Sequence, residues 1–439
     1  MAYEPQSILI SKNVALAANK QNTYLTPVAA SAYVSRPRSP GTSFASITPT
    51  FYSDEQQSNK GHQFPTTKQR TMQATAFDAT WDLDNFLSGW VFAFAMGADT
   101  VTGAGPYTHL FKFLQSTNQM PVTSLLHQDT NDVIYQLPDM VINDLQITGK
   151  ESGPLQAQFK MVGSGKNVDG AVTLPAVTTP AFVFGSDADI LIGPGAPDPT
   201  LFTIATQAGG TQAARTEYFK FTYTSAAGET LASGEVSIAV PLNSVSKVTA
   251  PAAFPPGVTS CSVYASTATG TETKQQAGIA AAGTYTEPNT GFTAGTALPT
   301  ATSALTSIKE RVKQWVVHLV MDMQPNRAPG GGFFSTFTKV LKQRANLQLQ
   351  IAAKDVDDLR TLFVNDTPRN IQIKANSGAA QQLILDYPYV MPVCPAGTAS
   401  GVEIIWPLTA GDQDVLKWQG QEIFTATVVN NVASYLTGA

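Results

Sequence analysis

The clearest pattern along the chain is a strict alternation of apolar and polar positions between residues 145 and 161, interrupted by one turn, 149–154 (GKESGP). A period of two places every second side chain on the same face of a strand. The segment therefore predicts an antiparallel hairpin with one face on a core and one in water. The apolar positions are Leu145, Ile147, Leu155, Ala157, Phe159 and Met161.

A helical period of apolar residues precedes this hairpin, with Thr80 or Asp82 as its predicted N-cap. An aromatic-rich stripe of this kind indicates a helix packed on a sheet rather than a cofactor site. A second, short helix is predicted over Asp355–Asn365, with Pro368 just beyond it. The stripe of the first helix comprises Leu83, Phe86, Leu87, Trp90, Val91 and Phe94.

Two strand-like runs, Ser43–Tyr52 and Lys68–Phe77, flank a polar segment and predict a hairpin with an unusually long tip. An N-terminal arm, residues 1–42, precedes it and ends in a loop rich in proline. Long tips in compact domains tend to serve contacts. The candidate contact residues of the tip are Ser53, Asp54, Glu55, Gln56, Gln57, Ser58, Asn59 and Lys60.

The chain divides into three segments: 1–184, 185–305 and 306–439. The middle one is bordered by linker-like stretches at 193–199 and 293–303. It contains short alternating runs separated by turn residues and no helical period, which predicts a small inserted β-sandwich. The outer two are strand-rich and are expected to build one β-domain, because insertion at an exposed loop costs little when the ends of the host lie close together.

The expected fold class is therefore mainly β: a β-sandwich or barrel with one or two flanking helices, interrupted by an immunoglobulin-like sandwich. The third segment supplies alternating runs at 315–323, 347–351, 371–373, 383–385, 402–404 and 424–429.

The composition excludes some classes of function but does not identify one. The 439 residues are 43% hydrophobic but only 13% charged, with a net charge of −5. A charge-poor surface suits a protein that buries much of itself in assembly contacts, although a plain β-rich protein explains the composition nearly as well. Nothing resembles the basic face of a general nucleic-acid binder. Cys261 and Cys394 are expected to be free buried thiols.

Neither a signal peptide nor an apolar run long enough for a membrane span is evident, so synthesis in a cytoplasm without a membrane anchor is expected. The four histidines, His62, His109, His127 and His318, lack metal-site spacing. Nucleophile-elbow and phosphate-loop motifs are missing, and Gly330–Gly332 is better interpreted as a turn. We therefore expect no catalytic residue, no metal and no cofactor.

One charge cluster suggests a hypothesis. Between residues 306 and 344, seven basic residues outnumber two acidic ones, whereas acidic residues concentrate elsewhere, for example at Asp412, Asp414 and Glu422. In a self-assembling ring, a basic face of one subunit would meet an acidic face of the next. Solvated strands with exposed lysines remain an equal alternative. The candidate inter-subunit residues are Arg327, Lys339, Lys342 and Arg344.

Several of these features together resemble the tail tube proteins (major tail proteins) of long-tailed bacteriophages. They are the long-tipped hairpin, the helix that begins 81–87 (WDLDNFL), the phrase 107–111 (YTHLF) and the hairpin from Val141 to Gly165. The likeness covers roughly residues 40–184 and, more loosely, 306–435. Residues 256–266 (PGVTSCSVYAS) are similar to immunoglobulin- or fibronectin-like modules carried by phage virion proteins.

The resemblance implies a non-enzymatic structural subunit of the virion. Hexameric rings would stack into a tube that conducts double-stranded DNA during ejection without binding it specifically. The long hairpin would reach the neighbouring ring, and the insert would decorate the outside, where it could contact a host-surface glycan. Expected partners are other copies of the chain and the tape measure, baseplate or tail terminator proteins.

Three rival functions stay open at this point. A capsid decoration or baseplate protein would share the composition and the insert. A secreted carbohydrate-binding β-protein would be expected to have a signal peptide and an aromatic sugar platform. A glycosidase would need two carboxylates held about 5–10 Å apart in a cleft, and the sequence nominates no pair.

Overall fold

A computed structural model describes most of the chain, and the protein is mainly β, as the sequence predicts. The described residues are 13–37, 46–53, 68–114, 120–128, 134–169, 174–176, 181–326, 334–339, 343–352, 368–376, 381–391, 393, 398–400, 403–410 and 422–436. The predicted helix at Asp355–Asn365, the turn Gly330–Gly332 and Cys394 lie outside them. Within this part of the chain, no helix has the length and apolar character needed to cross a membrane.

The elements follow in chain order. The first segment contains β1 (Asn13–Ala17), β2 (Tyr33–Pro37), β3 (Ser46–Ser53), β4 (Lys68–Asp82), α1 (Leu87–Met96), β5 (Gly97–Thr102), β6 (Tyr107–Phe113), β7 (Thr123–Gln128), β8 (Ile134–Lys150), β9 (Gln156–Gly163) and β10 (Val168–Asp169). The middle segment contains β11 (Ala188–Pro194), β12 (Thr203–Ala208), β13 (Arg215–Ser225), β14 (Gly228–Glu229), β15 (Val236–Val240), β16 (Ser244–Thr249), β17 (Val258–Ser266), β18 (Thr273–Ile279) and β19 (Thr284–Thr286).

The last segment contains β20 (Thr306–Ser307), β21 (Val312–Val320), β22 (Met323–Asn326), β23 (Thr336–Lys339), β24 (Arg344–Ala352), β25 (Arg369–Asn376), β26 (Gln382–Val390), β27 (Thr398–Ser400), β28 (Glu403–Ala410) and β29 (Thr425–Asn430). Short 3-10 helices lie at Ala30–Ala32, Gly185–Asp187, Pro199–Leu201 and Lys309–Arg311.

The larger sheet combines strands of both outer segments around the long strand β8. The first half of β8 pairs with β7, and its second half pairs with β9 on one edge and β21 on the other. From β9 the sheet continues through β4 to β3, and from β21 through β24 and β28 to β27. The pairing of β8 with β7 is irregular around Asp139, which has a φ of 58°: Leu125 lies opposite Leu137, but Thr123 lies opposite Met140. The predicted hairpin is confirmed, with Leu145 opposite Phe159 and Ile147 opposite Ala157.

The second sheet has the strand order β20-β11-β25-β26-β29-β6-β5, which again mixes the first and last segments. Strand β11 pairs along its whole length with β25, from Ala188 opposite Ala375 to Pro194 opposite Arg369. Residues 188–194 therefore belong to the sheet of the outer segments, although the sequence assigned everything from residue 185 onward to the insert. The pairing partner lies too far along the chain for a local pattern to reveal it.

Helix α1 packs between the two sheets, against β8 on one side and β5, β6 and β29 on the other. Every residue from Leu87 to Met96 is buried, because a helix enclosed by two apolar faces has no polar side. Gly89 is required there, since a Cβ atom at this position would lie 2.4 Å from the ring of buried Tyr435.

The predicted start of this helix is wrong. Thr80 and Asp82 belong to β4, and the N–H of Leu83 still donates to Leu155 O at 2.7 Å in extended pairing. The carboxylate of Asp84 accepts from the N–H of Phe86 and Leu87 at 2.8 and 2.9 Å and so satisfies the first turn.

The middle segment forms the predicted β-sandwich. One sheet contains β12, β16 and β19, and the other contains β13, β14, β15, β17 and β18. Side chains from both sheets build a separate hydrophobic core in which Phe202 and Phe221 stack with ring centroids 3.9 Å apart. Cys261 lies in this core as a free thiol, and burial raises its pKa to about 12. It is therefore an apolar packing residue rather than a nucleophile.

Candidate assembly surface

The hairpin β3–β4 leaves the large sheet as a two-stranded ribbon. Residues 75–82 of β4 pair with β9, and Gln73 bridges Phe334 and donates to Gly165 O, whereas residues 68–72 pair only with β3 among the described residues. At about 3.3 Å per residue, residues 68–72 span roughly 16 Å. Ser53, the first candidate contact residue, ends β3 opposite Lys68. The remaining candidates, Asp54–Lys60, lie outside the described residues.

A second hairpin, β22–β23, lies beside the root of the first. Gln73 of β4 forms a bridge with Phe334, and the Nζ of Lys166 lies 5.5 Å from the centre of the Phe334 ring. The N–H of Ser335 donates to Ser164 O at 3.3 Å. The two hairpins and the end of β9 thus form one continuous surface, which we call the hairpin surface (residues 46–53, 68–76, 163–166, 323–326 and 334–339).

The basic cluster falls partly on this surface. Lys339 ends β23 opposite Met323, whereas Arg327 and Lys342 lie outside the described residues. Arg344 begins β24, where one of its guanidinium nitrogens lies 3.5 Å from Asp322 of the same chain. Both side chains are partly exposed, so this ion pair contributes little stability. Charge complementarity between subunits at these basic residues remains a prediction.

Charge reversal tests that prediction. We expect Lys339→Glu and Lys342→Glu, made separately, to slow association of the purified chain at low ionic strength, because like charges would then meet across the contact. Lys247→Glu, in strand β16 of the insert, changes the net charge equally and serves as the control. Light scattering after a concentration jump measures the rate. Equal rates for all three variants would refute the electrostatic hypothesis.

A group of buried hydrogen bonds surrounds Asp139, at the irregular position of β8. The carboxylate of Asp139 accepts from Gln21 Nε2 at 2.6 Å, from Leu25 N at 3.0 Å and from Ser164 Oγ at 2.7 Å. Burial raises the pKa of Asp139 despite these donors. These hydrogen bonds tie residues 21–25 to the strand that supports the hairpin surface.

A buried ion pair joins β2 to the start of α1. Arg36 Nη2 donates to Asp84 Oδ1 at 2.9 Å, and the guanidinium lies 5.3 Å from the centre of the Phe86 ring. Burial lowers the pKa of Arg36 to about 10, and the group stays protonated at neutral pH. The same carboxylate therefore holds both an incoming strand and the first turn of the helix.

Two histidines also have carboxylate partners. His109 is buried, with Nδ1 3.0 Å from Asp99 Oδ2 and Nε2 2.8 Å from Val432 O. Burial disfavours the charged imidazole, but the acceptors at both nitrogens outweigh it and raise the pKa. His318 lies on the solvent-facing side of β21, with Nε2 2.9 Å from Asp144 Oδ2. The sequence did not reveal the pair His318–Asp144, because the two residues lie far apart along the chain.

The insert contains a carboxylate pair that the sequence did not nominate. Arg215 Nη2 lies 2.5 Å from Glu217 and 2.6 Å from Glu287. Burial, reinforced by the neighbouring charge of Glu287, raises the pKa of Glu217 to about 7. Both carboxyl groups are enclosed, with Glu217 0% and Glu287 2% exposed. A glycosidase needs its pair open to a substrate, so we interpret this cluster as structural.

This cluster gives a pH prediction. The pKa of Glu217 is about 7 in the folded insert and about 4.5 in the unfolded chain, so the contribution of Glu217 to stability is full below pH 4.5 and is lost as the pH rises through about 7. The slope is at most about 1.4 kcal/mol per pH unit. We expect Glu217→Gln to abolish it. Hydrogen exchange of the β13 amides, corrected for intrinsic rates, measures the effect, and an unchanged slope in the variant would contradict the assignment.

No protein-family model and no curated protein sequence matches the chain. Within the described residues, no group of three or more His, Cys, Asp or Glu side chains could hold a metal ion.

Proposed function

We propose that the chain is a structural subunit of a bacteriophage tail tube. Copies would close into hexameric rings, and the rings would stack into the conduit through which viral DNA leaves the virion. The chain would carry out no chemistry of its own. This proposal rests on the architecture and on the sequence resemblance described above.

The observation that carries the proposal is the ribbon β3–β4. A two-stranded ribbon that projects from its sheet is marginally stable in water, because it lacks the third strand or packed face that would support it. Here residues 50–53 of β3 and residues 68–72 of β4 form it. Such a ribbon is accounted for if a second copy of the chain covers it, as an arm between stacked rings would be covered.

The unpaired edge strands of the two sheets also support the proposal. Within the described residues, the large sheet has edge strands at β2, β3, β10 and β27, and the second sheet ends at β5 and β20. Unpaired edges expose backbone donors and acceptors that invite pairing with another chain. Closure of several subunits into a cylinder removes such edges altogether. An assembly that joins sheets of neighbouring copies would therefore satisfy both features at once.

The remaining parts fit a conduit. A net charge of −5 suits a lumen through which DNA must slide, because phosphate-neutralising contacts would retain it. The insert has its own core, as a module on the outside of the tube would require, and could meet a host-surface glycan there. Tape measure, tail terminator and baseplate proteins would be the other partners, and the virion would be the site of action.

Sedimentation velocity of the full chain tests the proposal. With increasing concentration we expect the monomer to convert into hexamers and then into much larger species, because ring closure and stacking are separate contacts. A chain that remains monomeric at all concentrations, with or without the other tail proteins, would contradict the proposal.

A further inference from the structure

A cleft of about 870 Å³ separates the inserted sandwich from the second sheet. The insert contributes two turns, at 225–227 and 256–257, and the outer segments contribute the end of β11, strand β20, the 3-10 helix Lys309–Arg311 and Arg369. Clefts of this size between domains are common sites for small molecules. The proposed tube function does not use this one.

Arg369 is the unusual residue in this cleft. Its side chain is only 2% exposed, and its Nη1 donates to Pro256 O of the insert at 3.3 Å. The other two nitrogens, Nε and Nη2, have no acceptor in the described structure. Among the described residues no carboxylate pairs with this guanidinium, and desolvation by burial lowers the pKa of Arg369. An arginine stays protonated in proteins, so a full positive charge is buried here without a counter-ion.

The geometry of the two unpaired nitrogens specifies a ligand. Nε and Nη2 lie along one edge of the planar guanidinium, and their N–H bonds point the same way. That edge binds the two oxygens of a carboxylate or phosphate in parallel. A buried charge with this edge unmatched is strongly unfavourable, so a group with two acceptor oxygens is the chemistry that completes it.

The surroundings favour a small anion. Lys309 is exposed at the mouth of the cleft, and Arg311 is buried in its wall with Nε donating to Ala352 O at 3.2 Å. Glu310 is the one acidic residue among those that line the cleft. The same lining contains no aromatic side chain, so it offers no platform for a sugar ring. The hydroxyl of Thr306, which is exposed in the same lining, can donate to a further oxygen of a ligand.

We propose that this cleft binds a small molecule through a phosphate or carboxylate group held by Nε and Nη2 of Arg369. In the present state both nitrogens are closed off from solvent. Entry therefore requires the turn Pro256–Gly257, which is exposed, to move aside. A bound anion would connect the insert to the second sheet, independently of whether the chain forms tubes.

Thermal unfolding of the full chain tests the proposal, with inorganic phosphate and malonate as probes at constant ionic strength. We expect both to raise the unfolding temperature saturably, because a ligand that binds only the folded state stabilises it. Arg369→Met should be at least as stable as the parent chain without anion, since it removes an unmatched charge. It should bind phosphate about tenfold more weakly or worse, as expected when a charge-assisted pair of hydrogen bonds is lost.

Lys374→Met, in the same strand but outside the cleft, is the matched control and should respond like the parent chain. Lys309→Ser changes only an exposed side chain and should weaken the phosphate response, which keeps the test valid if Arg369→Met fails to fold. A parent chain without a saturable response would overturn the proposal. So would an unchanged response in Arg369→Met, or in Lys309→Ser if the first variant does not fold.

Discussion

Replacing residues 54–67 by a two-residue Asn-Gly turn should leave the protein folded and abolish its ordered assembly. Ser53 lies directly opposite Lys68 in the ribbon, and Asn-Gly is the preferred two-residue connection between paired antiparallel strands. The change therefore shortens the arm without altering the register of β3 and β4. If the tip bridges successive rings, sedimentation velocity should show that stacking is lost while smaller closed species or monomers remain.

The experiment must distinguish a loss of folding stability from a loss of arm length. Urea unfolding of the shortened monomer should match the parent chain closely, because loop length affects stability only weakly. A second variant keeps the length of the tip but replaces 54–60 by a Gly/Ser sequence. It should assemble poorly if side chains of the tip make the contact, and normally if length alone matters. Tubes of normal length from the shortened variant would refute the role of the arm.

Asp84→Ala should lower the free energy of unfolding by about 3–5 kcal/mol, the range for breaking a buried ion pair. The side chain of Asp84 is 2% exposed, and that of Arg36 is 9% exposed. Removal of the carboxylate leaves the guanidinium buried without its counter-ion and leaves the N–H groups of Phe86 and Leu87 without an acceptor. Urea unfolding followed by tryptophan fluorescence measures the loss.

Asp82→Ala is the matched control, two residues earlier. Asp82 is partly exposed, and among the described residues its carboxylate accepts only from Gln156 Nε2 at 3.2 Å, so the cost should stay within about 0.5 kcal/mol. Replacing both partners, Arg36→Met with Asp84→Leu, should recover much of the stability because no charge stays buried. Equal losses for Asp82→Ala and Asp84→Ala would show that Asp84 does not hold the helix.

Local alternation accounts for what the sequence predicted well. The hairpin around residues 149–154 and the strands of the insert were visible because one face of each strand is buried and the other is wet. The start of α1 was misplaced because Leu83, counted in the helical stripe, pairs in extended form with Leu155. A helix buried on every side offers no polar face to mark where it begins.

Pairings between residues that lie far apart along the chain could not be predicted from local sequence patterns. Nothing near residue 190 indicates that β11 joins β25, and nothing near Arg36 indicates that Asp84 neutralises it. The same holds for Arg369, whose neighbours in the chain do not show that it faces the insert at Pro256. The contact role of the polar tip between β3 and β4 remains a prediction.

Cryo-electron microscopy of particles grown from the purified chain tests the central claim most directly. We expect stacked hexameric rings in which the sheets of neighbouring copies join into one cylinder, the ribbon β3–β4 of each subunit contacts the next ring, and the insert lies outside. Particles held together through the insert alone, or isolated monomers at high concentration, would contradict it.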